Sequence, residues 1–314
     1  MLDEVLGSLN PAAGQVLVDC TVGWGGHAVE LLKRLGPGGK LIGIDLDPEN
    51  LHRAQERLNK VGFPFSLHQG NFAALPAILA AEGIDRTDGL VADLGMSSMQ
   101  VDDPERGFSY IRDGPLDMRM DRSRGRTAAQ LLASISQPEL AEVLGTLGDE
   151  PQPERLAAAI VAARARRPIE RTGELTQIIL EATQSERTGP WRLHPARHRW
   201  QLHPAARTFQ ALRILVNRER ANLERLLQIL ANVLQAGGKA AIISFHSGED
   251  RLVKTAFRDG LRGGWYTEVG DEPIRAGPEE RIKNPRSRSA KLRWASRAAT
   301  DEISSAPPVP IDPT

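Results

Sequence analysis

The chain predicts an α/β fold, a doubly wound and mostly parallel sheet interrupted by a helical insertion. Three observations carry the prediction. Short apolar strands alternate with helices through residue 95 or so, and the alternation then stops from about Pro104 to Pro204. It resumes with a strongly periodic helix and another apolar strand, which makes the helical block an insertion into one α/β domain rather than a separate end.

Val16 to Asp19, Leu41 to Ile44, Phe65 to His68 and Gly89 to Ala92 read as short buried strands. His27 to Leu35, Pro48 to Asn59 and Ala74 to Glu82 read as the helices between them, the second with Asp47 as its cap and proline in its first turn. Within the insertion, Ser136-Gln-Pro-Glu139 is a capping-box pattern that leads into Leu140, Val143, Leu144 and Leu147 at helical spacing. Glu154 to Arg166 and Glu174 to Ala182 supply two more helices. Leu223, Leu226, Leu227, Leu230, Val233 and Leu234 then mark a helix ended by Gly237-Gly238, and Ala240 to Ser244 is the strand that follows. The expected division is 1–103 with 205–300 for the α/β domain, 104–204 for the insertion and 301–314 for a Pro-rich, disordered tail.

The most informative segment is Val16-Leu-Val-Asp19-Cys20-Thr-Val-Gly23-Trp-Gly25-Gly26-His27, a strand, an acid, a glycine turn and a helix start. Residues without a Cβ take tight, positive-φ turns and let backbone N–H groups approach a ligand closely. About twenty residues later the strand at Leu41 ends in Asp45, the spacing of a carboxylate that binds ribose hydroxyls. Gly23-x-Gly25-x-x-Ala28 formally satisfies the NAD fingerprint. Asp19 argues against a dinucleotide, whose pyrophosphate needs the helix start free of an acid, and for a ligand bearing a cationic amino group such as S-adenosylmethionine.

Composition narrows the partners. With 40 basic and 40 acidic residues there is no global field to steer the chain to nucleic acid or a membrane, so any such binding is local. A single cysteine, Cys20, excludes an intramolecular disulfide framework and a cysteine-rich zinc site, and no metal is expected. No run approaches a membrane span and no secretory signal is legible, so the expected location is cytoplasmic. Oligomeric state is left open, with a homodimer one expectation.

Ligands of open parallel sheets bind outside the carboxyl ends of the strands. There the fourth strand runs into Asp93-Leu-Gly-Met-Ser97-Ser98-Met-Gln100, and an acid in that position is costly to bury without a ligand or donors. This loop, with Gly25-Gly26-His27, Arg106-Gly-Phe-Ser, Asp113-Gly-Pro-Leu-Asp-Met-Arg-Met-Asp121, His203-Pro-Ala-x-Arg-Thr-Phe-Gln-Ala-Leu-Arg213, Ile243-Ser-Phe-His-Ser247-x-Glu-Asp-Arg and Asn284-Pro-Arg-x-Arg-Ser, resembles the bacterial RsmH/MraW family. The resemblance runs in order from Leu2 to about Arg293.

The resemblance implies a Rossmann-like class I methyltransferase domain with an inserted helical domain. It implies transfer of a methyl group from S-adenosylmethionine to the exocyclic N4 of a decoding-centre cytidine in 16S rRNA of the small ribosomal subunit. Carried over by position, Gly25, Gly26 and His27 would hold the methionine and sugar, Asp45 the ribose, and Phe72 would lie near the adenine. Asp93 and Gln100 would complete the pocket, and Asp93 is the candidate catalytic residue. Methylation of DNA or another RNA, and an NAD-dependent oxidoreductase, are the alternatives.

Candidate RNA contacts are Arg281, Lys283, Arg286, Arg288, Lys291, Arg293 and Arg297, a C-terminal run with no acid among them. Arg155, Arg164, Arg166, Arg167 and Arg171 add a second basic set in the insertion, with Arg207 and Arg213 as further phosphate ligands. Val22, Met99 and Gly248 depart from the family pattern, Trp24 fills a variable position, and the His-x-Pro-Val stretch expected before Leu2 is missing, so the start is expected to fall late. Leu193 to Gln201 is repeated imperfectly by Leu202 to Gln210; the first copy reads as a duplicated loop.

Overall fold

The computed structural model describes residues 1–184 and 203–299. Two compact units contain them, Met1–Gly95 with Arg220–Thr314, and Met96–Glu219. The chain enters the first unit as α1 (Leu2–Leu9), β1 (Val16–Asp19), α2 (Gly26–Leu35), β2 (Lys40–Asp45), α3 (Pro48–Asn59), β3 (Phe65–Gln69), α4 (Leu75–Ala81) and β4 (Thr87–Asp93). It continues as α5 (Ser98–Asp102), α6 (Ala128–Ser134), α7 (Gln137–Gly148), α8 (Pro153–Arg166), α9 (Thr172–Gln184) and α10 (Ala205–Asn217). It ends as α11 (Glu219–Val233), β5 (Leu234–Ser244), α12 (Ser247–Arg262), β6 (Tyr266–Val269), β7 (Ile274–Arg275), α13 (Pro278–Lys283) and β8 (Lys291–Arg297).

In the first unit the strands form one sheet in the order β3-β2-β1-β4-β5-β8-β6, with β7 also on β8. β1 to β5 are parallel, and β8 runs antiparallel to β5, β6 and β7. The α/β expectation holds. Order reverses between β1 and β4, so the carboxyl ends of those two strands flank the topological switch point where such sheets bind ligands.

Side chains of successive strand residues go to opposite faces, and both faces are apolar. Val18, Ile42, Ile44, Leu90, Ala92 and Ile242 pack with Leu75 and Leu79 of α4, Leu223 to Val233 of α11, and Val253 and Phe257 of α12. Leu17, Leu41, Val91, Ala241 and Ile243 pack on the other side with α1, α2 and α3. Cys20 lies in the first of these cores, and burial pushes its thiol up, away from the thiolate.

Two expectations need correction. β5 starts at Leu234 rather than Ala240, because Thr87 opposes Leu234 and Gly89 opposes Lys239, five steps against two, and the extra residues at Gly237-Gly238 bulge from the ladder. The second correction concerns the C-terminal basic run, part of which is strand β8. Arg293 and Arg297 are buried; Arg293 Nε and Lys291 Nζ each lie 2.7 Å from Asp250, and Arg297 Nη1 donates to the Leu234 carbonyl at 3.0 Å. These three cations tie β8 to α12 and to the start of β5, whereas Arg281, Lys283, Arg286 and Arg288 are exposed.

The second unit has its own core, in which Phe108, Leu116 and Met118 pack with Leu140, Leu144, Leu156, Ile160, Leu175, Ile179, Phe209 and Leu212. Its limits fall at 95/96 and 219/220, whereas the sequence reading divides the chain at 103/104 and 204/205. The difference arises because α10 gives its apolar face to this core. Among the described residues between 104 and 204 the only β pairing is an isolated bridge, Pro115 to Arg171. The first copy of the tandem repeat and the 301–314 tail lie outside the described residues.

Two long motifs of the sequence scaffold this unit. Buried Arg106 donates to the carbonyls of Arg119 and Met120 at 3.1 and 2.9 Å, and Asp117 pairs with both Nε and Nη2 of Arg119. A Cβ on Gly107 would stand 2.2 Å from the Pro115 carbonyl oxygen, so only glycine lets these loops meet. Asn217 closes the arrangement from α10, accepting from Met120 N–H and donating to the Met118 carbonyl, both at 2.8 Å. Arg213 is committed as well, its guanidinium forked onto Glu219 at 2.9 and 2.9 Å in a buried pair rather than presented to a phosphate.

Candidate functional site

The glycine turn after β1 is built by its glycines and by Asp45. Gly23 and Gly25 have φ of 50° and 80°, and Gly25 is the N-cap of α2. At the end of β2, Asp45 accepts from Gly23 N–H at 2.8 Å, from Asp47 N–H at 2.9 Å and from Asn50 Nδ2 at 3.3 Å on each oxygen. Burial raises its pKa and these three donors oppose the rise. The carboxylate expected to take a ribose therefore also pins the loop.

At the switch point lie Asp19 and Asp93. Asp19 is 1% exposed; Oδ1 accepts from Thr21 N–H at 3.1 Å, while Oδ2 is buried with no hydrogen-bond partner. Its pKa is pushed up to about 7, first by burial and then by the carboxylates of Asp93 and Asp45, against the Thr21 hydrogen bond. Asp93 is divided between its two oxygens: the side chain keeps 35% of its exposure, but Oδ1 is buried and unpartnered. Burial also raises Asp93 to about 7, opposed by the amino terminus and reinforced by Glu249 and Glu280. Two carboxylates with orphaned oxygens fit a ligand group rich in N–H donors and positive charge, such as an ammonium.

His27 opens α2. Its Nδ1 is 3.9 Å from Asp93 Oδ2, beyond hydrogen-bond reach, and burial with the nearby amino terminus pushes its pKa down to about 4. It is neutral at physiological pH, which suits a binding role. Gly26 begins the same helix, and Phe72 opens a 3-10 turn after Asn71, packed partly buried against the sheet. Gln100 belongs to the second unit, where its side chain accepts from Ser97 N–H at 2.9 Å and closes the capping box of α5.

Sequence reasoning missed three supports. Thr21 Oγ1 accepts the Asp93 N–H at 2.7 Å, Asn50 clamps Asp45, and Glu249 accepts the Phe245 N–H at 2.9 Å while its own N–H caps back to His246 Nδ1 at 3.4 Å. A signal existed for the last: His246-x-x-Glu249 has the spacing of a reciprocal helix cap. Among the described residues no group of His, Cys, Asp or Glu could hold a metal ion, and no helix is long and apolar enough to cross a membrane.

Residues 1–298 match the MraW methylase family. A protein of Geobacter sp. strain M21 named ribosomal RNA small subunit methyltransferase H is 45% identical over 308 residues, 93% of this chain and 95% of the relative. Relatives of the same name from Trichlorobacter lovleyi and Acidobacterium capsulatum are 44% and 40% identical, covering 94% and 95% of this chain and 96% and 97% of theirs. This chain belongs to the MraW methylase family.

Family membership spans both compact units, so the helical insertion is part of the MraW pattern and not an addition to it. Within that pattern the first unit concentrates the glycine turn, Asp19, His27, Asp45 and Asp93 at the carboxyl ends of β1, β2 and β4. The long motifs of the second unit instead spend most of their polar side chains on their own loops.

Proposed function

We propose that this MraW-family chain transfers a methyl group from S-adenosylmethionine to the exocyclic N4 of a decoding-centre cytidine in 16S rRNA. The observation that carries the reading is the pair of carboxylates, Asp19 and Asp93, each with one buried oxygen lacking a hydrogen bond at the sheet's switch point. The relatives' names supply the class of acceptor, and the resemblance in the motifs supplies N4 and the decoding centre.

Gly25, Gly26 and His27 would hold the methionine and sugar part of the donor, Asp45 the ribose hydroxyls and Phe72 the adenine edge of the site. Asp19 would receive the ammonium. When bound, the donor supplies an electrophilic methyl group on a cationic sulfur.

Cytosine N4 is a weak nucleophile because its lone pair is delocalised into the ring. Asp93, ionised, accepts an N–H of that amine and localises the lone pair; it takes up the proton released as the N4–carbon bond forms and the carbon–sulfur bond breaks. A pKa near 7 suits this exchange, since the group is then both ionised often enough to accept and basic enough to hold the proton. Bringing the amine in line with the methyl group supplies much of the remaining barrier reduction. Within the C-terminal run, Arg281, Lys283, Arg286 and Arg288 are exposed and would contact phosphates from the surface.

The test is labelled methyl transfer to small ribosomal subunits lacking the mark, with free 16S rRNA and DNA as comparison acceptors. Label on a single cytidine N4 of the subunit is the expected result, and Asp93→Asn should bind S-adenosylhomocysteine while losing most of the rate. Transfer to DNA instead, or full rate in Asp93→Asn, overturns the reading. Tighter binding of NADH than of S-adenosylhomocysteine would overturn the choice of cofactor.

A further inference from the structure

Away from the switch point, the first unit holds a cavity of about 240 Å³ lined by Lys254, Phe257 and Arg258 of α12, by Val269 to Glu272, and by Arg293 of β8. Phe257 and Arg293 form its buried part, at 2% and 5% exposure. Arg293 is held rigidly: Nε is 2.7 Å from Asp250, which Lys291 shares at 2.7 Å, and Nη1 reaches the Asp271 carbonyl at 3.5 Å. One carboxylate serving two cations leaves the triad a net positive charge. Nη2 of Arg293 is left with no hydrogen bond among the described residues, although it is not sealed from the surface.

Lys254 and Arg258 stand one helical turn apart on the same face of α12, exposed, and neither makes an ion pair or hydrogen bond among the described residues. The lining therefore brings three cations against two carboxylates, Asp271 and Glu272. Exposed Lys and Arg on helices usually find an i,i+4 partner or point to water; here both converge on a concavity with a fixed guanidinium inside. Arg293 lies opposite Ile242, two residues before the end of β5.

We infer that this cavity is a phosphodiester subsite, taking a backbone phosphate of the RNA acceptor on Lys254, Arg258 and the open edge of Arg293. The inference rests on the RNA reading given under Proposed function. The open Nη2 edge of a fixed guanidinium and two exposed cations suit phosphate oxygens, and such contacts set the position of the strand without reading its sequence. Asp271 and Glu272 oppose the anion and limit its affinity, which suits a substrate that must leave.

The test is the salt dependence of binding to a single-stranded 16S rRNA fragment, in the wild-type chain and in the double variant Lys254→Ala/Arg258→Ala. Taking two cations away from the phosphate should lower the slope of log K against log salt by about 1.4 and weaken binding about tenfold near physiological salt. S-adenosylhomocysteine affinity should be unchanged, which shows that the fold and donor site survive. Asp271→Asn/Glu272→Gln should bind the fragment more tightly than wild type.

An unchanged slope in the double variant overturns the subsite, while continued methylation of ribosomal subunits leaves the proposed function standing. A lowered slope in a chain that methylates no rRNA would keep the subsite and sink that function. Inorganic phosphate titrated calorimetrically separates the sources: saturable binding below about 1 mM that the double variant loses would make the cavity a free-phosphate site and overturn the RNA assignment.

Discussion

Thr21 Oγ1 accepts the backbone N–H of Asp93 at 2.7 Å, so the glycine turn after β1 fixes where β4 ends. Replacing Thr21 by Val keeps the shape and removes the acceptor, leaving the Asp93 N–H without its partner at a cost of about 1 to 3 kcal/mol. Urea unfolding should show that loss, and S-adenosylhomocysteine should bind more weakly. Thr21→Ser should restore both, whereas a Val variant indistinguishable from wild type would mean the tie holds nothing.

The raised carboxylates give a pH dependence whose sign is fixed. Asp19 goes from an ordinary value near 3.8 to about 7 on folding, so between pH 4 and 7 the folded state holds protons that the unfolded state has lost. Stability of the ligand-free chain therefore falls as pH rises through that window. Asp19→Asn should flatten the fall and stabilise the ligand-free chain at pH 7.5, by roughly 2 to 4 kcal/mol. A cationic donor group should bind better as pH rises through 7 and release protons on binding, measured calorimetrically in buffers of different ionisation enthalpy. Uptake of protons, or a pH-independent affinity, would remove Asp19 and Asp93 from the donor site.

What the sequence made legible was whatever local chemistry dictates. Asp47-Pro48 fixed the start of α3, and the glycines with Asp19 and Asp45 marked the turn where the structure has it. Tertiary pairing was not legible: Arg293 reads as one more exposed cation until Asp250, on another element, is brought beside it. Gln100 shows a different failure. Ser97-x-x-Gln100 and Thr127-x-x-Gln130 both carry the capping-box spacing, and both close such boxes, yet only Ser136-x-x-Glu139 leads into an apolar run long enough to announce its helix. A motif that also resembles a ligand loop hid its own helix.

Asp45 serves the loop before any ligand arrives, so its removal should act on stability and binding together. Asp45→Ala leaves Gly23 N–H, Asp47 N–H and Asn50 without their acceptor. A loss of about 2 to 3 kcal/mol in urea unfolding is expected, with S-adenosylhomocysteine affinity down tenfold or more. Asp45→Asn should fall between, because one oxygen remains while its amide faces donors. If Asp45→Ala weakened the ligand without touching stability, the pinning role would be wrong.

In the second unit, Arg213 and Glu219 are 10% and 13% exposed and bound through two parallel contacts. Removing one partner of such a pair strands a buried charge, at about 3 to 5 kcal/mol. Arg213→Ala should therefore unfold at lower denaturant concentration, and Arg213→Ala/Glu219→Ala should recover part of the loss, since the second substitution removes the stranded carboxylate. The cycle separates a scaffold from a phosphate ligand. A phosphate ligand would lose RNA affinity and salt slope in the single variant with stability intact, and adding Glu219→Ala would then restore nothing.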